Sequence, residues 1–159
     1  MAELLLDTSY ILPIFGLRIE LGKFEKSFPR LLQVYSVIYS PVSLIEAKWI
    51  TLRAGRKEPS KRDALLQRYR LGLKTLQGDE RLKPSTLTDD STEQIADELL
   101  SKEKLADYFD RMIYATAARY NMALLTEDDG LLAIAKGGSV PRPKQVIRWE
   151  DAMREIGLN

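Results

Sequence analysis

Apolar residues along this chain fall into two kinds of run. Short uninterrupted ones occur at Leu4–Leu6, Val37–Tyr39 and Met122–Leu125, each stopped by polar or turn-forming residues. Runs of this length, too short for a stable helix, read as buried strands. The spacing predicts strands over Glu3–Leu6, Val37–Tyr39, Leu82–Leu87, Met122–Leu125 and Gln145–Arg148. Between them apolar positions recur at helical spacing. Helices are predicted over Thr8–Phe15, Phe24–Val34 (with Pro29 as a local disturbance), Val42–Ala54, Arg62–Leu76, Ser91–Leu100, Leu105–Tyr120 and Gly130–Ala135. A terminal helix over Trp149–Ile156 is ended by Gly157. In Arg62–Leu76, Leu65, Leu66, Tyr69, Leu73 and Leu76 share one face, as a packed amphipathic helix requires. Strands alternating with helices predict an α/β fold built on a mostly parallel sheet. The loop Lys136–Pro143, with two Gly and two Pro, reads as its most mobile part.

Composition narrows the chemistry. A chain of 159 residues that is 45% hydrophobic can bury one core, so a single domain over 1–159 is expected. No apolar run is long enough to cross a membrane. The N-terminus shows no basic region followed by a cleavage site, so no secretory signal is expected and the reading is cytoplasmic. The sequence contains no Cys and no His. Disulfides, thiolate metal sites, His-ligated zinc and Ser-His-Asp or Cys-His catalysis are therefore excluded. Acid–base or metal chemistry must come from Asp, Glu, Lys or Tyr.

The formal net charge is +1, but the charges are segregated. Arg53 to Lys83 holds ten Lys/Arg against four Asp/Glu, a net of +6; Pro84 to Asp110 holds two Lys against eight Asp/Glu, a net of −6. Two solvated helix faces would explain this. So would a basic surface that meets phosphates, with Arg53, Arg56, Lys57, Lys61, Arg62, Arg68, Arg70 and Lys74 as candidates. Tyr35 and Tyr39 fit core packing better than base stacking.

Ligands of open parallel sheets bind beyond the carboxyl ends of the strands. Asp7 follows the first predicted strand, Glu46 lies in the first turns after the second, and Asp128 follows Met122–Leu125. Asp110 lies near a helix start, on the side of Ala106, Ile113 and Ala117, where a lone carboxylate is costly to bury. Each acid also has a structural reading. Asp7 could cap the helix beginning at Thr8. Ser43–Glu46 fits a capping box, as does Thr126–Asp129 with Asp129 as its acid. Asp107 reads as a partner for Arg111, and Glu127 and Asp129 as solvated or capping. Taken together, four acids at one sheet end read better as a metal site. An all-oxygen donor set selects a hard cation, Mg²⁺ or Mn²⁺. Such an ion suits a phosphate substrate and phosphodiester hydrolysis. Thr126 is placed to orient Asp128.

These same residues resemble the PIN domain and, within it, VapC-like toxins. Leu5-Leu6-Asp7-Thr8-Ser9, Val42–Ala47, Asp107–Ala117 and Leu124–Asp128 look like its motifs in order, across nearly the whole chain. Tyr108 stands where the family commonly has Pro, and the stretch between Glu46 and Asp110 is longer than in compact toxins. That length implies a helical insertion over roughly 55–104 carrying the basic helix. The resemblance implies a three-layer α/β/α sandwich with a five-stranded parallel sheet and a Mg²⁺- or Mn²⁺-dependent endoribonuclease. It implies Asp7, Glu46, Asp110 and Asp128 as the catalytic and metal-binding pocket. It also implies an RNA substrate, an antitoxin protein as partner, and a homodimer. Two alternatives stay open: a PIN-like scaffold or RNA-binding protein without turnover, and a phosphotransferase using Asp7 as nucleophile. The second lacks its customary acid two residues on, where Ser9 stands.

Overall fold

Strand β1 (Glu3–Leu6) is buried at Leu4, Leu5 and Leu6, so it can sit only in the interior of a sheet covered on both faces. The computed structural model, which describes residues 1–158, places it there. β1 pairs in parallel with β2 (Ser36–Tyr39) on one side and β4 (Ala123–Leu125) on the other. β3 (Leu82–Pro84) and β5 (Gln145–Ile147) complete a five-stranded parallel sheet of order β3-β2-β1-β4-β5.

The pleat divides the core. Leu4, Leu6, Val37, Tyr39 and Leu125 join one cluster. It includes residues of α1 (Phe24–Val34), α2 (Pro41–Lys57), α3 (Arg62–Gly78) and α7 (Trp149–Glu155). Leu5, Ile38 and Leu124 face the opposite way, onto α4 (Asp90–Glu103), α5 (Tyr108–Arg119) and α6 (Asp129–Lys136). The result is a three-layer α/β/α sandwich, as the family resemblance implies. No helix among the described residues is long and apolar enough to cross a membrane.

Several boundaries differ from the sequence expectation for local reasons. Thr8–Phe15 forms two 3₁₀ turns, Thr8–Tyr10 and Leu12–Phe15, with Pro13 near the start of the second and Gly16 closing it at φ +78°. α2 begins at Pro41, because Ser40 accepts from Val42 N–H (3.2 Å) and Pro is at home in a first turn. Ser43 is therefore inside the helix and caps nothing. α5 starts at Tyr108 rather than at Leu105, since Asp107 caps it. β3 stops at Pro84, which an edge strand tolerates, and the Ser85 N–H makes the last bond to β2, at the Tyr39 carbonyl (2.8 Å). α1 runs unbroken through Pro29. Tyr35, Tyr39 and Tyr69 are buried, so the tyrosines belong to the core. The Lys136–Pro143 loop is anchored: Ser139 bonds Glu103, and Lys102 reaches its carbonyl.

The basic helix α3 is seated by Gly72. A Cβ there would lie 2.4 Å from the Ile14 carbonyl oxygen and 2.8 Å from Phe15 Cδ1. Alanine is the better helix former, by about 1 kcal/mol. Even so, Gly72→Ala should lower unfolding free energy by about 1–3 kcal/mol, the usual cost of overpacking. Urea denaturation measures it; an unchanged or raised midpoint would mean that the helix shifts freely against the turn.

Candidate active site

The parallel register aligns the strand ends. Leu6 pairs with Tyr39 and Leu125, and Leu125 with Ile147. The ladder continues one residue further, with Asp7 N–H donating to Leu125 O and Thr126 N–H to Ile147 O, each at 3.0 Å. Asp7 and Thr126 thereby stand side by side just past the sheet. The Thr126 hydroxyl donates to Asp7 Oδ2 at 2.6 Å, and Thr8 N–H donates to Asp7 Oδ1 at 2.6 Å. Asp7 thus does cap the first turn, as its structural reading holds, while remaining in the wall of a cleft. Thr126 serves Asp7 with its proton and accepts from Asp128 N–H at 3.1 Å, so it orients Asp128 through the backbone.

The other acids reach the same place from different elements. Glu46 comes from α2, its carboxylate receiving the Thr8 hydroxyl, which lies 3.0 Å from the Ser43 hydroxyl. Asp128 caps α6, accepting from Leu131 N–H at 2.8 Å. Asp110 projects from the first turn of α5, and no hydrogen-bond donor among the described residues reaches its carboxylate. Asp7, Glu46, Asp110 and Asp128 line one cleft of about 200 Å³.

Electrostatics follow from this crowding. Burial is the largest cause lifting the Asp7 carboxyl above its ordinary range; Thr126 and Thr8 N–H oppose it, and Asp128 and Asp107 reinforce it. Glu46 is raised mainly by burial, with the Thr8 hydroxyl opposing. Asp110 is pushed up to about 7, first by burial and then by the charges of Asp107, Asp7, Asp128 and Glu46. Like charges gathered without a cation are unfavourable, and a bound cation relieves them.

The set suits a hard cation in donor type and charge. No three of the acids meet at one coordinating point among the described residues, so shared coordination requires side-chain rotation, for which the unbonded Asp110 carboxylate is free.

Three acids depart from the sequence reading. Asp107 is not paired with Arg111. It accepts from Asp110 N–H at 3.1 Å as the cap of α5, while Arg111 donates to the Leu105 and Ala106 carbonyls at 2.9 and 2.7 Å. From the cap, Asp107 adds its charge to the cluster. Glu127 also lines the cleft, accepting from Tyr10 hydroxyl (2.6 Å) and Trp149 N–H (2.8 Å), with Arg148 at 3.7 Å. Asp129 does not complete a capping box; it pairs with Arg148. Thr8 and Ser43 were not singled out in sequence, although hydroxyls adjoining an acid after a strand were a usable signal.

The PIN domain family matches residues 4–137. No curated protein matches the chain. Among solved structures, the chain is similar to VapBC2 from Rickettsia felis, crystallised with a DNA fragment from its promoter. The two share 14% identity over 92% of this chain and 98% of that one, with a TM-score of 0.62. It is similar also to PAE2754 from Pyrobaculum aerophilum, at 15% identity over 98% and 95% with a TM-score of 0.62. A structure of FitAB bound to an IR36 DNA fragment shares 20% identity over 91% and 94%, with a TM-score of 0.54. At these identities the likeness is one of fold.

Proposed function

The chain belongs to the PIN domain family, and from that premise we propose that it is a Mg²⁺- or Mn²⁺-dependent endoribonuclease acting in the cytoplasm as the toxin of a toxin–antitoxin pair. PIN domains are generally nucleases that use divalent ions. The observation that carries the reading here is the Asp110 carboxylate. It is partly buried, without a donor, and pushed up to about 7 among four other acids at the carboxyl end of a parallel sheet. A structural role gives no reason to gather charges there.

Asp7, Glu46 and Asp110 would hold the ion directly or through water, with Asp128 completing the pocket. Thr126 and Thr8 keep the Asp7 oxygens in place, and the Thr8 hydroxyl does the same for Glu46. When bound, the cation supplies phosphate binding, a more acidic water and stabilisation of the leaving oxygen. The exposed arginines and lysines of α2 and α3 offset the repulsion that an acidic cleft exerts on RNA. The shared fold with VapBC2 and FitAB supports an antitoxin partner, and a homodimer belongs to the same proposal.

The test is cleavage of single-stranded RNA by the purified chain. Added Mg²⁺ or Mn²⁺ should give cleavage and EDTA should stop it. RNA left intact with both ions would leave the protein a PIN-fold scaffold.

A further inference from the structure

Trp49 is 60% exposed, on a helix that also supplies Glu46. Contiguous apolar surface left in water marks an interaction site, and Ile45 and Leu52 are exposed on the same helix. The indole stands edge-on to Phe109, the neighbour of Asp110, with ring centroids 6.4 Å apart. It thus packs against the same helix that carries Asp110, while most of its surface stays in water. Ile50, next along α2, lines the acidic cleft. At 3.6 residues per turn, Glu46, Trp49, Arg53 and Arg56 fall within about 80° of the helix circumference and span about 15 Å of its length. Arg53 and Arg56 are exposed, and neither has an ion-pair partner among the described residues. One helical face therefore runs from a cleft acid to an open aromatic to two unpaired guanidinium groups.

We propose that this face of α2 is a track for single-stranded RNA: Trp49 stacks on a base next to the phosphate held at the acidic cleft, and Arg53 and Arg56 bind the phosphates that follow. The inference rests on the nuclease reading and adds a positioning residue to it. An aromatic platform beside a positive groove is the general way in which single strands are held without sequence preference. Ile45 and Leu52, also exposed on α2, widen the apolar flank. The unpaired arginines favour a polyanion over an apolar protein surface.

The experiment reads indole fluorescence, and the chain suits it. The second tryptophan, Trp149, is 3% exposed in an aromatic cluster with Tyr10 and Phe24, so only Trp49 can report contact. Full-length Asp110→Asn protein with Mg²⁺ is titrated with short oligoadenylate, and again with an abasic oligonucleotide of equal length. Oligoadenylate should quench the indole and the abasic strand should not. Trp49→Ala should weaken oligoadenylate binding by about tenfold or more, with little effect on the abasic strand, and Trp49→Phe should recover most of it. Equal affinity of Trp49→Ala and its parent for oligoadenylate overturns the proposal even if the unsubstituted chain cleaves RNA. Loss of self-association in Trp49→Ala with unchanged RNA affinity overturns it in favour of a protein contact. Quenching and weakened binding in a chain that never cleaves RNA would uphold the track and refute the nuclease.

Discussion

Asp110→Asn should slow RNA cleavage on the order of 10³-fold, the scale seen when one preorganised electrostatic group is removed from a catalytic site. The substitution changes little else. Asn fills the same space, the helix cap is made by Asp107 through the backbone of residue 110, and no hydrogen bond to the carboxylate is lost. A fold defect is therefore not expected, and circular dichroism should superimpose on the parent. Mn²⁺ titration by calorimetry separates the two ways to fail. Weaker ion binding together with lost cleavage places the ion at Asp110. Unchanged binding and unchanged cleavage would make Asp110 an ordinary helix residue and reduce Asp7 to the cap of its turn. Asp7→Asn is a less clean probe, because both Asp7 oxygens accept hydrogen bonds.

Ion-free protein should lose stability as pH rises from about 4 to 7, the reverse of the usual behaviour of paired carboxylates. The sign follows from the raised acids. Asp110 goes from an ordinary 3.8 to about 7 on folding, so its protonated form is favoured in the fold. Its stabilising contribution is complete below the lower value and is lost as pH passes the upper one. Asp7 and Glu46 are raised too and act in the same direction. Asp110 remains partly open to water, so solvent screening cuts its share to about 1 kcal/mol. Asp110→Asn in EDTA should therefore melt about 2–4 °C above the parent at pH 8, with the gain vanishing near pH 4. Saturating Mn²⁺ should do more for the parent. At a free concentration of about 100 times Kd it adds about 2.7 kcal/mol, or about 5–10 °C in Tm. Differential scanning fluorimetry across pH, with and without ion, reads all of this. A parent that melts higher at pH 8 than at pH 5 in EDTA, and ignores Mn²⁺, would mean the acids are not held against one another.

Much of this was legible in the chain. Leu4–Leu6, Val37–Tyr39 and Met122–Leu125 read as buried strands because a short, wholly apolar run has no polar face to leave in water. The residue after such a run must emerge at the sheet's edge, which is why Asp7 could be placed beyond a strand end. The absence of His and Cys confined any metal site to oxygen donors. The sequence alone thus determined the α/β class, the central strands and the kind of chemistry, while the three layers came with the family resemblance. Three things it left open were decided by tertiary structure. Asp107 was read as a partner for Arg111, but it caps the α5 backbone instead, and Arg111 is taken by two carbonyls. Thr126 was read as a partner of Asp128, but register sets it beside Asp7, so its proton goes there. Trp49 belongs to no sequence motif, and only the packing of α2 beside α5 sets it against Phe109 while leaving it 60% exposed. Local patterns fix which way a side chain points from its own element. Which groups then meet depends on strand register and helix crossing, and those are set by contacts between residues far apart in the chain.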